Sequence, residues 1–477
     1  MNPRVLILAA LLAACSSHRG STGSSNAPLV AGLSVTGVSL YQGLEAPLVI
    51  DGEGAADGKV AIIANRPGLL RVLVTAEDSW VSHPIVARLA LTQAGKALPA
   101  IEQTVSPLGT STQADLTSSI NFDLPGETIS TDLTWSISLH ETNKKLASAG
   151  DSAHALYPQT GEAPIAANVT GPITLTIVPI SYEADGSSRL PDTGETQLAR
   201  FRDKMMQLYP VTDVQITVGD PISWTRTVGA DGTGWDRLLN AIIQKRAQDG
   251  VAPSMYYYGL FAPTASFSTY CAQGCVLGLS PLAMDPMDET SRASLGVGYL
   301  GPQAESDITF VHEVGHAHGR QHAPCMVQDP DPQYPYTLAE LGSWGYDDAK
   351  KTLLDPTGIS RDMMSYCENQ WISDYTYQAL YDRVRAVDQS PYRLEIPARW
   401  HTLLVGRDGS VTRGASFTSR RPPIGTQRAI TRSLGGATDS IVGHYYEYDH
   451  LSGGTLMVAE SDDLGELSFG GHVVQND

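Results

Sequence analysis

Residues 311–322 read Val-His-Glu-Val-Gly-His-Ala-His-Gly-Arg-Gln-His. The stretch fits H-E-x-x-H-x-x-G-x-x-H through His312, Glu313, His316, Gly319 and His322. Residues four apart on a helix share one face, so His312 and His316 can point at one ion. Glu313 stands beside the first of them and can reach a water on that ion. Gly319 lets the chain leave the helix in a left-handed conformation, and the turn brings His322 back as a third donor. Three neutral imidazoles with a fourth position open are the arrangement of a catalytic zinc site, not of a structural one. His318, two residues past His316, is expected to face away from the metal.

The chemistry expected of such a site is hydrolysis. Zinc would activate water and polarise a scissile carbonyl. Glu313 would take the water proton and later deliver a proton to the leaving amine. An intact Glu313 argues against the competing reading, a surface-anchored zinc-containing binding lipoprotein without activity. No serine-based triad, phosphate-binding glycine loop or dinucleotide fingerprint competes with the histidine motif.

Downstream lies Asp362-Met363-Met364-Ser365-Tyr366, with Met364 42 residues after His322. With this second motif the chain resembles the metzincin clan of zinc endopeptidases. The resemblance implies that Met364 forms an apolar floor under the three imidazoles, with Met363 in its place if the turn is shifted. It implies that Tyr366 ligates zinc at rest or hydrogen-bonds the oxyanion. It also implies an extended protein or glycoprotein substrate paired with an edge strand before the motif helix, near Val276–Leu279. Trp344-Gly345-Tyr346-Asp347 and Trp371-Ile372-Ser373-Asp374-Tyr375 are similar to segments of secreted bacterial metzincins, including mucin-cleaving ones, although core packing and helix capping explain them as well.

Five cysteines are present. Leu12-Ala13-Ala14-Cys15 follows a short apolar run behind Arg4 and resembles a bacterial lipobox. The resemblance implies lipidation of Cys15 and removal of residues 1–14, against the plainer alternative of an ordinary signal peptide. Either route exports the protein; the lipid would anchor it to the cell envelope. Cys271, Cys275, Cys325 and Cys367 then remain, an even number that in an exported chain suggests two disulfides in one of three pairings. The metzincin resemblance brings the segments after His322 and after Tyr366 together at the zinc. It therefore favours Cys325–Cys367, and with it Cys271–Cys275. No cysteine remains to serve as a propeptide inhibitor, which leaves latency open.

The 477 residues suit two or three domains, with 42% apolar residues to build cores. The net charge of −19 without a basic cluster excludes nucleic acid as a natural partner. Residues 15–28 are a Ser/Gly tether. Residues 29–164 carry short strands such as Leu70–Val74, Ile85–Leu91 and Leu133–Leu139, punctuated as in a β-sandwich. Residues 165–390 alternate strand and helix: strands at 173–178, 214–218 and 255–260, helices at 193–209 and 234–248. The stretch 262–303 reads as loop apart from the edge strand. The motif helix starts near Ser306, and a last helix runs from Tyr377 to Val387. Residues 391–477 read as a small β-domain of unassigned role. The fold class expected is thus a multidomain chain: a central α/β (α+β) metzincin-like zinc peptidase domain flanked by β-rich regions. One catalytic zinc is the implied cofactor. Asp285, Asp288, Glu289, Asp329 and Asp331 are candidate calcium ligands, although solvated turns account for them better.

Overall fold

Period-two alternation builds the first layers. Ile85–Gln93 and Thr134–Glu141 each bury every second side chain and pair antiparallel from Ile85↔Glu141 to Thr92↔Thr134. A second antiparallel sheet sets Leu33–Tyr41 between Glu45–Ile50 and Gly68–Ala76, with Ile120–Leu124 outside the latter. The two sheets share a core that includes Leu70, Val72, Leu89, Trp135 and Ile137. Pairing in this region continues to Ala167–Asn168, which lies parallel to Ile62–Ile63. The computed structural model describes residues 27–56, 58–143, 145, 151–301, 304–388, 397–461 and 463–476. Cys15, the leader 1–14 and the expected boundary at 390/391 lie outside the described residues.

The central segment is a mixed α/β layer. Its elements are β1 (Ile173–Tyr182), α1 (Glu195–Leu208), β2 (Val214–Val218), α2 (Trp235–Asp249), β3 (Tyr256–Phe261), β4 (Gly278–Leu279), β5 (Ala293–Val297), α3 (Ala304–Ala317) and α4 (Asp374–Asp388). The sheet order is β2-β1-β3-β5-β4, parallel except for β4, which runs antiparallel at the edge. Helix α1 buries Phe201, Met205 and Leu208, the spacing of one helix face. Phe201 stacks on Phe310 of α3 with ring centroids 4.5 Å apart, which fixes the motif helix against the sheet.

One expectation for this segment is corrected. The stretch 262–303 is not only loop, because β5 sits inside it between β3 and β4. Ala-Ser-Leu-Gly-Val is short and carries a glycine, so it gives no strand signal. Gly296 is required because the Tyr258 hydroxyl occupies the place of a Cβ.

The C-terminal residues form a seven-stranded antiparallel half-barrel. Its strands are Ala398–Val405, Val411–Ser419, Thr426–Leu434, Ala437–Glu447, Gly454–Ala459, Glu466–Phe469 and His472–Val473. Leu403, Val411, Ile430, Leu456 and Val458 form its own core. Trp400, Phe417 and Met457 instead join the core around Trp235, Leu238 and Ile242 of α2. Helix α2 is therefore covered by the central sheet on one side and the half-barrel on the other. Among the described residues, no helix is long and apolar enough to cross a membrane.

Candidate metal centre

Helix α3 carries His312, Glu313 and His316, all buried. It ends in a Schellman cap: Arg320 N–H donates to Gly315 O (3.0 Å) and Gly319 N–H to His316 O (2.8 Å). Gly319 has φ 82°, and a Cβ there would lie 2.7 Å from Ala283 O, so the cap requires glycine on two counts. The reversal returns the chain, and His322 comes beside the other two rings, with centroids 5.3 Å from His312 and 4.6 Å from His316.

The methionine turn lies under the helix. A Cβ on Gly315 would meet Met364 Sδ at 2.6 Å, and Met363 and Met364 are both fully buried. The buried Asp362 carboxylate holds the turn, accepting from Met364 N–H (2.8 Å) and Ser373 N–H (2.9 Å). Ala323 N–H donates to Met364 O (2.9 Å) and Tyr366 N–H to Cys325 O (3.1 Å). The disulfide Cys325–Cys367 closes this pairing, and Cys271–Cys275 is the second disulfide. Ser373 and Asp374 start α4, with Ser373 Oγ accepting from Thr376 N–H. Trp371 donates to Gly43 O, so packing and capping describe this tryptophan segment.

The hydrogen bonds fix the ring orientations. His312 Nδ1–H donates to Met363 O (2.7 Å) and His316 Nδ1–H to Arg320 O (2.6 Å). Both Nε2 atoms are then left with lone pairs, and they face each other at 3.0 Å. Burial holds all three imidazoles neutral: His312 and His322 are pushed down to about 3, and His316 well below the usual histidine range, with neighbouring rings adding to the effect. Neutral Nε2 lone pairs at this distance repel unless a cation lies between them. Beside them Glu313 Oε2 is buried without a hydrogen-bond partner, and Asp449 Oδ2 faces only ring nitrogens, His316 Nε2 at 3.3 Å and His450 Nε2 at 3.1 Å. An orphaned buried acceptor is costly without a cation. His312, His316 and His322 therefore fit a metal ion, and zinc suits a nitrogen-rich set of this size.

His318 turns away, as expected. It donates to Val314 O (2.7 Å) and stacks on Tyr256 at 4.3 Å. Tyr366 Oη lies 3.2 Å from His322 Nε2, and burial, followed by Asp449 and Glu313, raises its pKa far above the usual tyrosine value. The edge strand β4 passes over Glu313 so closely that a Cβ on Gly278 would overlap the carboxylate. A cleft of about 360 Å³ runs between β4, α3 and the methionine turn, lined among others by Leu277, Thr309, Glu313, Tyr366 and Gln370.

Two of the candidate calcium ligands are engaged by the protein's own groups. Asp288 is buried rather than solvated and accepts from Thr290 and from Tyr446 of the half-barrel. Asp331 accepts from Tyr375 Oη (2.8 Å) and Gln333 N–H (2.9 Å).

Sequence reasoning missed two residues. Asp449 and His450, in a turn of the half-barrel, enter the site. His450 Nε2 is 2.8 Å from Glu313 Oε1, its Nδ1 contacts Tyr366 Oη, and Asp449 Oδ2 is 3.3 Å from His316 Nε2. Burial opposes charge on His450, but Asp449 and Glu313 outweigh it and raise the pKa to about 9. For Glu313, burial first and Asp449 second push the carboxyl well above its usual range. The only sequence signal was an Asp-His pair between two alternating strands, which by itself points nowhere.

A cation site of three neutral imidazoles with a carboxylate alongside is the equipment of a metal-dependent hydrolase. Residues 291–392, from just before β5 to beyond α4, match the family model Peptidase M66, which supports a metallopeptidase. No curated protein matches the chain.

Proposed function

We propose that the chain is a zinc-dependent endopeptidase of metzincin type that hydrolyses extracellular proteins or glycoproteins. The observation that carries this reading is the pair of unprotonated Nε2 atoms of His312 and His316 facing each other at 3.0 Å beside Glu313. His312, His316 and His322 would hold the ion, which would supply Lewis acidity toward a carbonyl and toward water. Glu313, buried beside the two facing Nε2 atoms, would accept a proton from the attacking water and pass one to the leaving amine. Tyr366 stays protonated across the physiological range and would donate to the oxyanion. The edge of β4 would align the substrate backbone. Cleavage of mucin-type glycoproteins is the finer form of this proposal, supported by the resemblance of the tryptophan segments.

We also propose export and lipid anchoring through Cys15. Metabolic labelling with a fatty-acid probe, lost in Cys15→Ala, tests that part alone.

The enzymatic test pairs metal analysis with cleavage of a mixed protein and mucin substrate. The expected result is one zinc per chain, cleavage lost to a chelator, and a Glu313→Ala variant that keeps the metal while its rate falls about 10²–10⁴-fold. Metal retention with equal cleavage by the variant would remove Glu313 from the mechanism. A binding lipoprotein remains the second reading, because one Glu313 oxygen is engaged by His450.

A further inference from the structure

Nothing in the sequence motif predicts a fourth histidine, yet His312, His316, His322 and His450 each place a ligand atom within 4.8 Å of the others. The His450 ring centroid is 5.2 Å from His312, 5.7 Å from His316 and 5.2 Å from His322. It thus covers the side of the cluster that the three motif histidines leave free. Tetrahedral zinc with bonds of about 2.0–2.1 Å separates its ligand nitrogens by roughly 3.4 Å, so four such atoms are close to a closed shell.

The backbone leading to His450 occupies a second part of the site. Leu282 N–H donates to Glu447 O (3.1 Å), and Asp449 N–H donates to Ser280 O (3.3 Å). Pro281 and Tyr448 form an antiparallel bridge between them. Asp449 Oδ1 accepts from Ser280 N–H at 2.9 Å. Residues 447–449 therefore pair with the direct continuation of β4. The antiparallel register carries His450 level with Leu279, across the edge that a substrate backbone would need. Leu451 then anchors the turn by packing into the space left by the missing side chain of Gly232.

We propose that the Asp449–His450 turn is a built-in inhibitor: His450, giving up its proton as the ion binds, supplies the fourth nitrogen to the metal, residues 447–449 occupy the continuation of the edge strand, and the full chain is latent until the turn is displaced. The inference rests on the metallopeptidase reading and adds a regulatory element to it. It places the inhibitory group in the C-terminal half-barrel, not in the segment before the catalytic region.

The experiment loads the full-length chain, wild type and His450→Ala, with Co²⁺ in place of zinc and titrates each with acetohydroxamate. Zinc affinity is measured on both by competition with a chromophoric chelator. Latency predicts a wild-type visible spectrum that hardly responds to the hydroxamate and a variant spectrum that does. It also predicts a zinc affinity about tenfold lower in the variant and faster peptide cleavage. Leu451→Ser, which loosens the turn without touching a ligand, should give the same hydroxamate response and stands in if His450→Ala does not fold. Equal hydroxamate binding and equal zinc affinity in wild type and variants would overturn the proposal. So would variants that keep the metal and lose cleavage, since His450 would then assist the reaction. Failure of wild type and variants alike to hold zinc or cobalt would overturn the metallopeptidase reading itself, and the proposal with it.

Discussion

The N-terminal sandwich and the C-terminal half-barrel both pack on the central segment, but with different chemistry at the seam. At the sandwich seam the buried polar groups Arg66 and Trp371 Nε1–H donate to main-chain atoms, and Lys351 pairs with Asp123 at the exposed margin. The buried Arg66 guanidinium donates to Met206 O (2.6 Å) and to Tyr209 O, capping the last turn of α1. Trp371 Nε1–H and Tyr346 N–H both donate to Gly43 O at 2.9 Å. Gly43 allows this approach because a Cβ there would lie 2.6 Å from Gln207 O. The hydrophobic core runs without a break from Val72 and Ile137 of the sandwich to Phe310 and Met364 beneath the site. At the half-barrel seam an apolar contact around α2 is joined by Asp449 and His450, whose acceptors and donors are aimed at other side chains of the site. A flanking domain whose polar groups are satisfied by carbonyls acts as a brace. One that aims its donors and acceptors at the side chains of the candidate metal site acts on the chemistry.

The contrast can be broken by separating stability from metal affinity. The largest effect belongs to the tie inside the site that both properties share. Removing Cys325–Cys367 by a double change to serine should lower the unfolding free energy by about 4 kcal/mol in the chain-entropy model, because it releases a loop of 42 residues. It should also weaken zinc binding, since the disulfide holds the His322 segment on the methionine turn. Denaturant unfolding and chelator competition read the two effects separately. Unchanged zinc affinity would mean that the backbone pairing of Ala323 with Met364 suffices.

Arg66→Met comes next. It leaves the terminal carbonyls of α1 without their donor and should cost about 2 kcal/mol, in the range for charge-assisted hydrogen bonds. Zinc affinity and the response to hydroxamate should stay at the wild-type level. A fall in zinc affinity comparable to that expected for His450→Ala would erase the distinction between brace and inhibitor.

The same contrast explains what could be read from the sequence. The histidine motif, its glycine and the methionine turn are local patterns set by helix geometry and backbone conformation, and the chain brings those residues together around Met363 O, Arg320 O and Gly315. The strands 173–182 and 256–261 and the helices α1 and α2 follow from apolar periodicity. Strand β5 does not, because Gly296 was selected by the Tyr258 hydroxyl rather than by strand propensity. His450 does not either. Its partner Glu313 lies 137 residues away, and such a contact leaves no periodic trace in the chain. The acidic residues before β5 read as solvated turns, yet Asp288 is buried under Tyr446 for the same reason: its partner comes from the half-barrel.

The smallest expected effect lies within the sandwich and sets the scale for a polar pair with no link to the metal. His83 Nδ1–H donates to Val81 O (2.7 Å), and Nε2 faces Glu141 Oε2 at 2.9 Å. Desolvation opposes protonation, but the hydrogen bonds to Val81 and Glu141 outweigh it and raise the pKa. A histidine that binds its proton more tightly when folded adds stability fully below its unfolded pKa of about 6.5. That contribution is lost as pH rises through the folded value. Wild type should therefore exceed His83→Gln in stability near pH 5.5, with the gap closing as pH rises through the raised folded value and staying within roughly 1 kcal/mol, since solvent still reaches the His83 ring. Melting curves of both proteins across this range provide the check. A gap that widens with pH would show that His83 is held neutral against Glu141, and the pair would then be a hydrogen bond of fixed strength rather than a titrating one.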